Sequence, residues 1–494
     1  MKSLSQTLCF ICAVSCISGA AAGAPVDREL ARVRDAAMQS DYAWRQLEML
    51  SDQIGPRLTG SAQAEAAVAR VGDELKHLGL KVTLQQVWVP HWVRGEERAR
   101  LTKYPGQPEG VTQRLALTAL GGSVATPSEG LHADVLVVHS YDELEAHKGE
   151  ARNRIVMFDE TFDQLAADNG HAMNAYGAAV DYRVNGPTAA AKAGAVAALV
   201  RSVGGAEFRL PHTGATLYGE GAPRIPAAAL SAEDADLVAR LAAKGVVTMQ
   251  LVLTPQMLEP MLSHNVIADL EGRTNEKEIV LVSGHLDSWD LGTGATDDGV
   301  GVAAAMGVAA AIKGLHARPR RTLRVVAWMN EENGLCGANA YNRTASAQSI
   351  AAHAAVIESD SGAGRPLGIL SQVTPDSMEK LQPLKAALST IDAGIIERRD
   401  DHVGADIGLL SERGVPGFAP LLDTRHYFHY HHTAADTLDK VDPEDLRRHV
   451  ATLATLAWWL ADAPESLPRI PVADKPSELH CPVAPAADAT RADR

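Results

Sequence analysis

Apolar residues recur along this chain at two spacings, one helical and one alternating. From Ser61 to Leu80 (SAQAEAAVARVGDELKHLGL), Ala66, Ala67, Val71, Leu75 and Leu78 fall on one helical face, and Gly79 ends the pattern. Lys81–Val89 (KVTLQQVWV) alternates as a strand does. Between about residues 118 and 260 the segments are shorter. Ala133–Ser140 and Arg154–Glu160 read as buried strands, and Thr188–Ser202 reads as a helix running into a strand. Ser231, with Asp234 three residues on, gives a capping-box-like helix start.

From about residue 264 to 465, strand, loop and helix repeat. Lys277–Gly284 (KEIVLVSG) is a continuous apolar run, as a parallel strand covered on both faces would be. Gly301–Leu315 is a helix, and Thr322–Met329 and His353–Asp360 are two more buried strands. Asp442 as N-cap and Pro443 at the first helical position open a last helix that reaches Ala461. Strands alternating with helices predict an α/β domain with a largely parallel sheet. The expected layout is a split catalytic domain over residues 25–117 and 262–465, an insert over 118–261, and an irregular tail over 466–494.

The first 24 residues stand apart. Lys2 precedes a short apolar run from Leu8 to Ile17, and small residues follow with an Ala-x-Ala pattern at Ala20, Ala22 and Ala24. This is the layout of a secretory signal peptide, too short to remain as a membrane-spanning helix. No other stretch approaches ~18 uninterrupted apolar residues, so no membrane span is expected. The expected location is secreted or periplasmic, with lipid anchoring at Cys16 as the alternative. Cys9, Cys12 and Cys16 leave with the leader, so Cys9-x-x-Cys12 is neither a redox nor a zinc motif in the mature chain. Cys336 and Cys481 remain, to form one disulfide or stay unpaired.

Composition narrows the class further. The 494 residues are 46% hydrophobic and 22% charged, which excludes a disordered chain, a coiled coil or a collagen repeat. A formal net charge of −15 argues against a nucleic-acid partner, which would require a basic face. Of 18 histidines, His402, His426, His429, His431 and His432 crowd into about thirty residues, which marks that region for chemistry.

In an open α/β sheet, ligands bind beyond the carboxyl ends of the strands. Each predicted strand end here delivers His, Asp or Glu. Gly284-His285-Leu286-Asp287 follows the first, and a loop with Gly292 and Gly294 leads on to Thr296-Asp297-Asp298. Asn330-Glu331-Glu332-Asn333-Gly334 follows the second, and the third ends in Glu358-Ser359-Asp360. Tyr430-His431-His432-Thr433 precedes Asp436-Thr437. Imidazole nitrogen and carboxylate oxygen are zinc ligands. A pair of zinc ions needs a shared carboxylate with terminal ligands on each side, and His285, Asp297, Glu332, Asp360 and His432 make up such a set. Asp287 would orient a ligand from behind. Glu331 would act as general base. Asp298 reads as a helix cap, and Asp406 and Asp436 as supporting groups.

The blocks HLDSWDLGTGATDDGVG, NEENGLCG, ESDSG and HHTAADT together resemble the co-catalytic di-zinc aminopeptidase and glutamate carboxypeptidase family of metallopeptidases. The nearest branch is that of the plasma glutamate carboxypeptidases and their secreted bacterial relatives. GPRLTGS (Gly55–Ser61) also matches that family, and the resemblance covers about residues 40–460. It implies a zinc exopeptidase-like fold, a mostly parallel mixed sheet flanked by helices, with the middle block as an inserted α+β protease-associated domain. It implies His285 with Asp360 on one zinc, Glu332 with His432 on the other, and Asp297 between them. Glu331 matches the catalytic base and Asp287 the residue behind the first histidine. The family's His, Ser or Thr, two residues, Asp-Thr pattern selects His432, with His431 as the alternative ligand. The resemblance also implies a peptide substrate and homodimer formation.

The function expected is therefore that of a secreted zinc-dependent exopeptidase acting on dipeptides or short peptides. A water bridging two zinc ions would attack, with Glu331 as base. A broad aminopeptidase is one alternative, and a catalytically inactive binding module is another, disfavoured by the complete ligand set. Carboxypeptidase or dipeptidase action requires a partner for a terminal carboxylate, for which Arg425 is a candidate. No His-Glu-x-x-His helix, Gly-x-Ser-x-Gly elbow or phosphate loop occurs, which disfavours other hydrolase and nucleotide chemistries.

Overall fold

The computed structural model describes residues 25–205 and 208–483. The leader expected at residues 1–24 lies outside the described residues. Two eight-stranded sheets organise the rest. In the first, the order is Lys81–Val93, Gln256–Leu270, Arg321–Trp328, Asn275–His285, His353–Glu358, Gly417–Leu422, Pro366–Gln372 and Ile395–Arg398. Its centre is parallel, from Arg321–Trp328 across to Gly417–Leu422. Antiparallel pairs flank that centre on both sides, so the sheet is mixed, as expected.

The continuous apolar strand Asn275–His285 is covered on both faces. Val280 and Val282 enter one core with the helices Val300–Gly314 and Pro443–Asp462, while Ile279 and Leu281 enter a second core with Tyr341 and Leu410. The helix Val300–Gly314 is buried along nearly its whole length. Together with the turn before it, Ala295–Gly314 is long and apolar enough to cross a membrane, yet it is a core helix here. It docks very close to a strand end. A Cβ at Gly301 would stand 2.0 Å from the carbonyl oxygen of Ser359, so only glycine fits there. The predicted caps form, Ser231 accepting from Asp234 N–H and Asp442 from Glu444 and Asp445 N–H with Pro443 in the first turn, and Ser61 adds one by accepting from Ala64 N–H.

The second sheet runs in the order Gln113–Leu115, Glu97–Lys103, Thr248–Leu253, Leu131–Val138, Ile155–Phe158, Ala197–Arg201, Ala227–Leu230 and Leu117–Ala119. It begins before residue 118. Glu97–Lys103 pairs with Thr248–Leu253 because Ala99 and Leu101 bury beside Met249 and Leu251 in this sheet's core. The chain is back in the first sheet by Gln256, ahead of residue 262. After Asp462 the described tail has no helix or strand, but Cys481 is disulfide-bonded to Cys336.

Two buried histidines make this fold sensitive to acid. His353 donates from Nδ1 to the Ser349 carbonyl and accepts from the Tyr341 hydroxyl, each at 2.8 Å. His449 lies 3.0 Å from the Ser359 hydroxyl. Burial pushes both imidazoles down to about 4. The unfolded chain takes up these protons near pH 6.5, and the native state does not until about 4. Stability is therefore complete above pH 6.5 and falls as pH drops from 6.5 towards 4. Denaturant midpoints measured across that window should fall less steeply for His353→Gln than for the wild-type protein. Equal slopes would contradict the buried neutral ring.

Candidate active site

The parallel register brings the chemistry together. His285 is opposite Trp328, and Ser283 is opposite Glu358, so the loops that follow these strands leave the sheet side by side. Asp297 stands in the middle. Its Oδ1 is 3.2 Å from His285 Nε2, and its Oδ2 is 3.2 Å from His432 Nε2. Asp360 lies 3.6 Å from the same His285 nitrogen, and Glu332 lies 3.0 Å from His432 Nε2. All five expected donors thus meet in one place, divided into two groups that share Asp297.

Main-chain carbonyls orient both histidines. His285 Nδ1 is 3.0 Å from the carbonyl of Asp287, and His432 Nδ1 is 3.2 Å from that of Thr213. An N–H facing a carbonyl fixes the tautomer and leaves Nε2 as the free donor atom. The Asp287 carboxylate does something else. It accepts from the N–H groups of Asn330 and Glu331 at 2.7 and 3.0 Å and from the Thr59 hydroxyl at 2.8 Å, which secures the turn carrying Glu331 and Glu332. His432 adopts φ +61, unfavourable for a residue with a side chain, and the N–H of Thr213 donates to its carbonyl at 2.9 Å. His431 stacks on His432 with ring centres 3.6 Å apart. Its Nδ1 is buried without a hydrogen bond, and its Nε2 is 3.5 Å from Asp297.

Several groups beneath the donors are occupied in holding the site. Asp298 accepts from the N–H of His285 and that of Gly301, each at 3.0 Å, as a helix cap does. Asp436 accepts from the N–H and hydroxyl of Thr296 and from the N–H of Asp297. Glu358 accepts from the N–H groups of Asp406 and Ile407. Arg57 is fully buried and donates to the carbonyls of Leu286, Thr293 and Gly294 at 2.7–2.8 Å, so its charge lies under the acid cluster.

The electrostatics favour a cation. Burial works against ionised Asp297, but His285 and His432 overcome it and hold the carboxyl well below its usual range. Burial also opposes a charged His285, and Asp360 and Asp297 outweigh it, raising the ring well above its ordinary value. Burial and the neighbouring carboxylates Asp360, Glu332 and Asp297 push the Glu331 carboxyl well up. Carboxyl groups outnumber imidazoles here, with Asp297, Glu331, Glu332 and Asp360 set against His285, His431 and His432. Asp297 Oδ2 and Glu332 Oε1 are buried and accept no hydrogen bond. Unsatisfied oxygens, neutral-capable imidazole nitrogens and close spacing fit a bound metal.

These groups face a cleft of about 820 Å³. Its floor carries Asp297, Glu331, Glu332, Asp360, His431 and His432, and Tyr176, Arg183 and Tyr218 of the second sheet's lobe line the other side. Arg183 is buried, its Nη1 is 3.4 Å from His432 Nδ1, and its Nε has no hydrogen bond. Arg425, the candidate from the sequence, is exposed and paired with Asp423. His402 faces Glu412, and the rings of His426 and His429 contact each other edge-on, so neither pair joins the donor set. Arg183 escaped the sequence reading because its own block holds no ligand cluster. Arg57 and Thr59 were visible only as part of GPRLTGS, without a role.

The family model of Peptidase family M28 matches residues 265–457. Carboxypeptidase Q from Homo sapiens is 36% identical over 429 residues, spanning 86% of this chain and 87% of that protein. The crystal structure of a peptidase M28 precursor from Shewanella amazonensis SB2B superposes with a TM-score of 0.84 at 36% identity, covering 90% of this chain and 99% of that one. The zinc aminopeptidase BSAP from Bacillus subtilis shares the fold at 16% identity, with a TM-score of 0.62 over 88% of this chain and 98% of that one.

The histidine doublet can be resolved by metal content. After loading with a divalent ion, His432→Ala should retain about half of the wild-type metal, because it removes an oriented donor. His431→Ala should retain nearly all of it. The reverse pattern would transfer the role to His431.

Proposed function

This chain belongs to peptidase family M28 and is a metallopeptidase; on that premise, we propose that it is a zinc-dependent exopeptidase that hydrolyses dipeptides or short peptides. The observation that carries this reading is the position of Glu331. Its carboxylate lines the cleft beside the five donors, and among the described residues no side chain is seen to hydrogen-bond it.

His285 and Asp360 would hold one zinc ion, and Glu332 and His432 the other, with Asp297 shared. Bound zinc supplies a Lewis acid that polarises the peptide carbonyl and makes water easier to deprotonate near neutral pH. The protein's own groups do the rest. Glu331 accepts the proton of the attacking water and delivers it to the leaving nitrogen. Asp287 and Thr59 hold the Glu331 turn in place, and Asp436 fixes the backbone of Asp297.

Arg183 favours a carboxyl-terminal preference. A buried guanidinium with an unoccupied Nε suits a substrate carboxylate better than a neutral end. The likeness to carboxypeptidase Q points the same way. The surplus of carboxylates would suit a substrate ammonium, and this supports an aminopeptidase as the second reading. We assign the second sheet to a protease-associated insert and the protein to a secreted or periplasmic setting, which the Cys336–Cys481 disulfide supports. Homodimer formation belongs to the same proposal and is read by sedimentation.

Glu331→Gln should keep its zinc and lose about 10²–10⁴-fold in kcat. Near-wild-type turnover would remove the base assignment. Free dipeptides, N-blocked peptides and C-amidated peptides separate the two end preferences. Cleavage of N-blocked but not C-amidated substrates identifies a carboxypeptidase, the reverse an aminopeptidase, and a need for both free ends a dipeptidase. Arg183→Met should raise KM about 10- to 100-fold for substrates with a free carboxylate and leave C-amidated ones unaffected.

A further inference from the structure

Among the described residues, the tail beyond the last helix has no helix or strand, yet it is held at point after point. Arg469 donates to the His353 carbonyl at 2.7 Å, and the N–H groups of Ile470 and Ala473 donate to the carbonyls of Gly414 and Glu412 at 3.1 and 2.8 Å. The N–H and hydroxyl of Ser477 both donate to the Glu412 carboxylate, which is itself buried. The last tether is covalent. Cys481 is bonded to Cys336, 145 residues earlier in the chain, with Cα atoms 5.5 Å apart.

Where that tether lands matters. Cys336 opens a helix four residues after Glu332, at the end of the turn in which the N–H groups of Gly334 and Leu335 donate to the Glu331 carbonyl. Both sulfurs lie near the Gly334 carbonyl, at 3.8 and 3.7 Å. Leu479, His480, Cys481 and Pro482 consequently line the same cleft as Glu331, Glu332 and Asp360. The disulfide fixes a short, largely apolar wall against the turn that carries the base.

We propose that residues 479–482 form a strap that limits the length of the bound peptide, closing the cleft beyond the Glu331–Leu335 turn. This rests on the exopeptidase reading and deepens it. An enzyme that acts at chain ends must stop the substrate on one side, and a wall that owes its position to tethers does so without a further domain. Leu479 and Pro482 supply bulk, and the disulfide supplies rigidity against a turn whose geometry the reaction already requires.

The test compares a pentapeptide with the dipeptide sharing its scissile bond, each as a substrate and as an uncleavable reduced-amide analogue. The paired change Cys336→Ala with Cys481→Ser releases the tether, and Leu479→Trp thickens the wall while keeping it. The proposal expects the pentapeptide-to-dipeptide ratio of kcat/KM, and of analogue affinity, to rise at least about tenfold in the released variant and to fall in Leu479→Trp. Ratios within about twofold of wild type in both variants overturn it. If the wild-type protein cleaves no peptide, the exopeptidase reading fails, and analogue affinity alone decides the strap. A protein that binds neither analogue in any form overturns the strap as well.

Discussion

Carboxylates that water barely reaches impose the governing constraint on this molecule. Taking one ionised carboxylate out of water costs several kcal/mol unless other charges and hydrogen bonds replace the lost hydration. Here Asp287, Asp297, Asp298, Glu332 and Asp436 are all buried within one small volume. The chain meets that cost with its main chain first. N–H groups of His285, Thr296, Asp297, Gly301, Asn330 and Glu331 all donate into the cluster. Arg57 adds a positive charge from below, although burial itself works to lower its pKa. What these leave unneutralised is aimed inward, towards the cleft. A site that needs cations and presents the atoms to bind them is one electrostatic fact seen from two sides.

The parallel sheet makes this possible, and its logic is why so much was legible from the chain. Doubly covered strands must be continuous apolar runs, so Lys277–Gly284, Thr322–Met329 and His353–Asp360 announced themselves. Their ends then had to lie together, so donor types could be read off the loops. The parts that stayed hidden depend on contacts without local pattern. Glu97–Lys103 (ERARLTK) alternates, but with charges on its open face, and only Ala99 and Leu101 betray its place in the second sheet. Arg183 is one arginine among many until the fold brings it against His432, 249 residues away. Cys336 and Cys481 were the two cysteines left after the leader, but no spacing rule across 145 residues could decide whether they bond.

The second sheet is more than a cover. Gly205 donates to the Phe428 carbonyl, and Thr213 both donates to and accepts from His432. Tyr176 stacks on Phe428 at 4.6 Å and meets His431 edge-on. The segment that delivers His432 is thus clamped by a helix and loops of the second sheet's lobe. The donor set belongs to the first sheet by sequence, but the left-handed backbone at His432 is held by the second. Any displacement of that lobe would move both the cleft wall and a donor nitrogen, so access and site geometry are mechanically linked.

The choice of orienting groups follows from the same crowding. Among so many acids, a carboxylate holding an imidazole would itself titrate as its neighbours changed charge, and the ring would lose its orientation with it. A peptide carbonyl has no proton to gain or lose. His285 and His432 both turn Nδ1 to main-chain carbonyls, of Asp287 and Thr213, although the Asp287 carboxylate is only 4.0 Å from His285 Nδ1. That carboxylate is committed instead to the Asn330 and Glu331 N–H groups and the Thr59 hydroxyl. Groups that never titrate orient the histidines, whereas Glu331 and Asp360 face the cleft and Asp287, Asp298 and Asp436 are bound to N–H donors. The charge on Glu331 still acts on His285, but the orientation of both rings rests on carbonyls that hold no proton.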